Sequence, residues 1–167
     1  MEESEKKKYL DRSDVIIEGN TARWDMRIEG SIYGTYTGTF RFKCFLTPTE
    51  KLSAGRKYRE LLGPNPTIAL EHEDNLAFAL AQLEHRIISA PPFWSSTLQQ
   101  NGQAGDIADE NVVHEALDAA IAAELKFAAQ LQQKKKEVLE NARKAAERLL
   151  KNQDEEMDES QSQEDGN

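Results

Sequence analysis

Between Trp24 and Leu46 the chain alternates apolar and polar residues, and this stretch restricts the fold more than any other. Trp24, Met26, Ile28 and Ile32 take even positions against Asp25, Arg27 and Glu29 on odd ones. Tyr36, Phe40, Phe42, Cys44 and Leu46 continue the even series opposite Thr37, Thr39, Arg41 and Lys43. A period of two belongs to a strand with one buried face. The shared parity predicts an antiparallel hairpin whose loop has an odd number of residues. With Tyr33-Gly34-Thr35 as that loop, Ile28 faces Phe40, Met26 faces Phe42 and Trp24 faces Cys44; a five-residue loop keeps the same parity. A lone hairpin is marginal in water, so its apolar face must rest on helices or on a partner's sheet. Val15-Ile16-Ile17 offers a short third strand.

Helix signals follow. Thr47-Pro48-Thr49-Glu50 combines a capping threonine, proline at the first helical position and glutamate three residues after the cap. Gly63-Pro64 is a stop, which predicts a helix over 48–62. Asn65-Pro66 or Thr67 opens a second helix, with Leu76, Leu80, Leu83 and Ile87 at helical spacing, ending at Ala90. Residues 91–105 hold helix breakers and no periodicity, and read as a long loop. Asp106 or Asp109 caps a third helix whose apolar positions are Val113, Leu117, Ile121, Ala128, Leu131, Val138, Ala142, Ala145 and Leu149. Glu124 and Lys135 interrupt that stripe.

The expected architecture is α+β: an N-terminal β-hairpin or small antiparallel sheet packed on a helical domain, with a long C-terminal helix and a disordered acidic tail. Residues 1–13 form a flexible N-terminus, 14–131 a single domain, 132–151 a projecting amphipathic helix and 152–167 the tail. The tail's seven acids, with no Lys or Arg, account for most of the net charge of −9 and leave −2 for the 151 residues before them. The folded part is therefore nearly neutral, and its Lys6-Lys7-Lys8 and Lys134-Lys135-Lys136 runs read as solvated. Neutrality argues against a nucleic-acid binder, which needs clustered cations to displace counterions. Cys44 is the single cysteine, so no intramolecular disulfide is possible. The charged opening residues lack the apolar run of a secretion signal, and no stretch approaches a membrane span, so a cytosolic protein is expected.

The residues give no catalytic constellation. His72 lies in Glu71-His72-Glu73-Asp74, where consecutive side chains on a helix diverge, and His85 is 13 residues away; a metal site is not expected. His114 falls on an apolar stripe and reads as a core or boundary histidine. Gly30, Gly34 and Gly38 fall inside a hairpin pattern, away from any strand-to-helix turn, and no Gly-Lys-Ser/Thr follows. Cys44 sits on an apolar strand face with no activating base nearby in sequence. No Gly-x-Ser-x-Gly elbow occurs. An enzyme and a cofactor are not expected.

Ala90-Pro91-Pro92-Phe93-Trp94 places two large aromatics directly after two prolines, which hold the backbone with little entropy left to lose. Such rings commonly fold back to cap the domain's own core. The alternative is a docking site in which Pro91 and Pro92 present Phe93 and Trp94 to a partner.

Gly38-Thr39-Phe40-Arg41-Phe42-Lys43, the capped Thr-Pro-Thr-Glu helix, Arg59-Glu60-Leu61-Leu62-Gly63, Arg86-Ile87-Ile88-Ser89-Ala90-Pro91 with Phe93-Trp94, and Asp109-Glu110-Asn111-Val112 occur in an order that resembles the tail assembly chaperones of tailed bacteriophages. The likeness covers roughly residues 24–130. It implies a non-enzymatic protein of the host cell cytoplasm that binds the tape measure protein and helps recruit tail tube subunits. The client surfaces would then be the hairpin, with Tyr33 and Tyr36, the Pro91–Trp94 loop and the third helix. Self-association is compatible with this; nucleic acid and membrane are not expected partners. Two other classes remain open: a structural tail or neck subunit whose hairpin extends a neighbour's sheet, and a cellular adaptor using residues 132–150 as a partner helix.

Overall fold

Glycine sets both turns of the sheet on which the fold is built. The computed structural model describes residues 3–30, 34–64, 70–94 and 109–161. In chain order these form α1 (Glu3–Leu10), β1 (Val15–Glu18), β2 (Thr21–Glu29), β3 (Thr35–Lys43), α2 (Pro48–Leu62), α3 (Glu71–Arg86), β4 (Ile87–Ser89) and α4 (Glu110–Gln161). The strands make one antiparallel sheet in the order β1-β2-β3-β4, so the α+β expectation holds. Glu18 pairs with Thr21, leaving a two-residue turn with Gly19 at φ 66° in its first position, where only glycine is unstrained. At the second turn the Gly30 N–H donates to the Gly34 carbonyl at 2.6 Å, and Gly34 takes φ 64°.

That second turn is centred two residues earlier than the sequence predicts. Trp24 faces Phe40, Met26 faces Gly38 and Ile28 faces Tyr36. The slip is even, so no side chain changes face: Ala22, Trp24, Met26, Phe40, Phe42 and Cys44 are all buried. Parity depends on which face is buried, whereas the register depends on the loop: Gly34 closes a five-residue loop over 30–34 instead of centring a three-residue one. The opposite face is polar and solvated, with Arg41 on Glu18 at 3.2 Å and the Thr39 hydroxyl donating to Asp25 at 2.7 Å.

Helix α2 has the expected bounds. The Glu50 N–H donates to Thr47 Oγ1 at 3.3 Å while the Glu50 carboxylate accepts from the Thr47 N–H at 2.8 Å, and Gly63 ends the helix at φ 73°. Lys43 donates to the same carboxylate at 2.5 Å. The Lys43 hydrogen bond, followed by those from Thr47, holds Glu50 down to about 2. Helix α3 begins at Glu71, with Glu73 accepting from the Leu70 N–H at 2.9 Å; the start expected at residues 65–67 lies outside the described residues. It also ends four residues before Ala90, because Ile87, Ile88 and Ser89 form β4. Ser89 pairs with Arg41 and Ile87 with Phe42, leaving Ile88 out of register as a bulge on an edge strand. The β-branched pair and the approach to Pro91 favour extended backbone over another helical turn.

Asp109 caps α4, accepting from the Asn111 N–H at 3.2 Å. The face of α4 buried toward the sheet is not the stripe of Val113, Leu117 and Ile121. It is Val112, Val113, Ala116, Ala119, Ala120, Ala122 and Ala123, with Leu117 and Ile121 half-buried at its margin. Bulky sheet aromatics explain the choice. Phe40 stacks on Phe42 at 5.6 Å, Trp24 lies 5.4 Å from Phe40, and these rings fill a layer that leaves room only for small residues opposite.

The chain divides into two units, residues 1–127 and 128–167. In the first, the N-terminus expected to be flexible forms α1, and Tyr9 donates to Asp118 of α4 at 3.1 Å. Arg12 pairs with Asp14 at 2.8 Å and Glu115 at 3.3 Å and lies over the Trp24 ring, whose indole N–H donates to Asp14 at 2.7 Å. Burial opposes charge on Arg12 but is outweighed by Asp14, Glu115 and Asp118, so its pKa is raised; Asp14 is lowered chiefly by its bond to Arg12. In the second unit, residues 152–161, expected in a disordered tail, continue α4 to Gln161. No glycine or proline stands between Gly105 and Gly166 to end the helix.

Candidate interaction surfaces

The residues expected to form a docking site are for the most part built into the core. Residues 92–94 make a short helical turn, the Trp94 N–H donating to the Pro91 carbonyl at 2.9 Å. Trp94 is 2 % exposed and meets Phe40 edge-on at 5.2 Å. Phe93 is half-buried, 5.3 Å from the half-buried Tyr36. Pro91 is buried over Gly38, where an added Cβ would stand 2.6 Å from the Pro91 Cβ. Only Pro92 of the Pro91–Trp94 segment is exposed, and Tyr33 lies outside the described residues. The hinge-like prolines thus press the rings inward: a glycine on β3 opens the space that seats Pro91, and the chain reverses onto the sheet.

A second surface, unmarked by motif, lies on the pair α2 and α3. Helix α2 buries Ala54 alone. Tyr58 on α2 meets Phe78 on α3 edge-on at 6.1 Å, and its hydroxyl is hydrogen-bonded to Asp74, which raises the phenol pKa. Phe78 remains 44 % exposed, and Leu61, one turn beyond Tyr58, is 37 % exposed. Two helices therefore offer a shallow apolar strip, with Phe78 and Leu61 both exposed. The sequence signal for it was slight: Phe78 falls off the Leu76, Leu80 and Leu83 stripe, and a large aromatic outside a core stripe needs a reason.

Where α3 gives way to β4, Arg86 is almost wholly buried and pairs with Glu124 of α4 at 2.5 Å. Its Nε and Nη1 find no acceptor among the described residues. Cys44 is fully buried nearby, and burial pushes its thiol up to about 11 against a smaller opposing effect of Arg86, so it stays protonated at neutral pH. An open groove of about 310 Å³ lies between the first sheet turn and β4, lined by Thr21, Lys43, Phe45, Glu50 and Ile88. It holds the Lys43–Glu50 ion pair.

Among the described residues, no group of three or more His, Cys, Asp or Glu is placed to hold a metal ion, and no helix is long and apolar enough to cross a membrane. Comparison with protein-family models, curated proteins and solved structures finds no match.

Proposed function

We propose that the chain is a non-enzymatic binding protein that acts as a phage tail assembly chaperone, holding the tape measure protein and helping recruit tail tube subunits in the host cell cytoplasm. The observation that supports this reading is the open strip of Tyr58, Leu61 and Phe78 across α2 and α3. A long helical client can lay its apolar residues along such a strip, as amphipathic helices do in helical grooves. The order of motifs from Gly38 to Val112 supplies the class of client. The Pro91–Trp94 segment then serves to support the fold, and the client surface moves to the two helices.

The test is co-expression with tape measure fragments. Wild type should co-purify with them, and Phe78→Ser should lose most of the captured fragment while the fold stays intact, with a loss of stability of only about 1–2 kcal/mol because the side chain is already nearly half in solvent. Mass spectrometry of purified particles beside infected-cell lysate decides the class. Abundance in particles would make the chain a structural subunit and sink the chaperone reading.

A further inference from the structure

Every described side chain from Ala128 to Arg148 is exposed, including the large apolar ones at Leu131, Val138 and Leu139. A helix solvated on all sides lacks the tertiary packing that normally supplies most helical stability. Leu131, Val138, Ala142 and Ala145 recur at steps of seven, four and three, which lines them along one side. The charges along the same helix are sorted. Lys134, Lys135 and Lys136 stand toward its start, and Asp154, Glu155, Glu156, Asp158 and Glu159 toward its end. Between them, Lys144 pairs with Glu140 at 2.8 Å and Arg143 with Glu147 at 2.9 Å, while no ion pair among the described residues involves the three lysines.

We propose that residues 128–161 form an antiparallel two-helix pair with the same segment of a second copy of this chain. The charge order selects both occupant and direction. Side by side in parallel, two copies would set lysines on lysines and acids on acids. Antiparallel, with the two-fold axis at Ala145, the Lys134–Lys136 run lies at the level of residues 154–156 of the second copy, so a basic segment meets an acidic one at both ends of the pair. Lys135, the polar interruption in the apolar stripe, then lies at the level of the second copy's acidic run instead of beside its own lysines. Ala142 and Ala145 let the two backbones approach closely at the centre. This pairing does not depend on the chaperone reading.

Sedimentation of the full chain over a range of concentrations tests it. Dimer is expected at low salt, with the dissociation constant rising about tenfold or more toward 0.5 M salt as the end-on-end charges are screened. The triple variants K134E/K135E/K136E and D154K/E155K/E156K should each lose dimer by a similar factor with helical signal intact, and their mixture should recover it as a mixed pair. Under oxidation, Ala145→Cys should cross-link to itself. Leu131→Cys should not, because its two copies would lie about 42 Å apart in an antiparallel pair. A wild-type chain that stays monomeric at every concentration, charge variants that dimerise like wild type, or cross-linking of Leu131→Cys as efficient as that of Ala145→Cys would each overturn the proposal.

Discussion

Arg86 at the end of α3 and Glu124 on α4 meet at 2.5 Å, an ion pair that joins two helices across 38 positions of the chain. The guanidinium is almost wholly buried, whereas the carboxylate side chain is 37 % exposed. Removing the acid strands a buried cation. Glu124→Ala should destabilise the first unit by about 2–4 kcal/mol, toward the lower side of the cost of breaking an enclosed pair because Glu124 keeps some water. Arg86→Met combined with Glu124→Met should recover most of that loss in urea denaturation. A double variant as unstable as the single would show that the two charges are not coupled.

Trp94→Ala removes a ring packed edge-on against Phe40 and should cost about 3–5 kcal/mol. Client capture by the fraction still folded should persist. Denaturation and co-purification on the same variant separate the two roles; unchanged stability with lost capture would return Trp94 to the surface.

Gly38→Ala should be destabilising by about 1–3 kcal/mol, since the new methyl runs into the Pro91 ring. Adding Pro91→Ala should relieve part of the clash, so the double variant should melt above Gly38→Ala alone. Melting below it would mean that Pro91 is not what the glycine accommodates.

Acid should weaken the start of α2 in a defined window. Glu50 is held at about 2, below its ordinary 4.5, by Lys43 and by the Thr47 hydrogen bonds. A depressed carboxylate stabilises the fold above its unfolded pKa, and that contribution is lost as pH falls from about 4.5 to about 2. Stability of Glu50→Gln should therefore fall less steeply than wild type across that interval. An identical acid limb in the two proteins would remove Glu50 from the account.

Local chemistry made much of this fold legible in advance. Thr47, Pro48, Glu50 and Gly63 fixed α2 because capping and termination act within a few residues, and the even positions from Trp24 to Cys44 fixed the buried face because a strand has only two. What was not legible depended on partners distant in sequence. Ile87, at helical spacing from Leu83, became a strand residue because β3 had an open edge. The alanines of α4 became its buried face because the sheet already carried the large rings. Glu124 was visible as an interruption, but its meaning waited on Arg86, 38 positions earlier. The strip of Tyr58, Leu61 and Phe78 had no motif, since a surface left over after packing is known only when the packing is known.

The sheet ends on strands of four and three residues, β1 and β4, and the second of these is broken by the bulge at Ile88 and followed by Pro91. A foreign strand laid against β1 or β4 finds few regularly spaced amide partners, whereas β2 beyond Trp24 and β3 before Arg41 have no described strand beside them on those sides. Lateral growth of the sheet through β1 and β4 themselves is thereby disfavoured, and any strand added from outside would have to seat on the longer free stretches of β2 or β3.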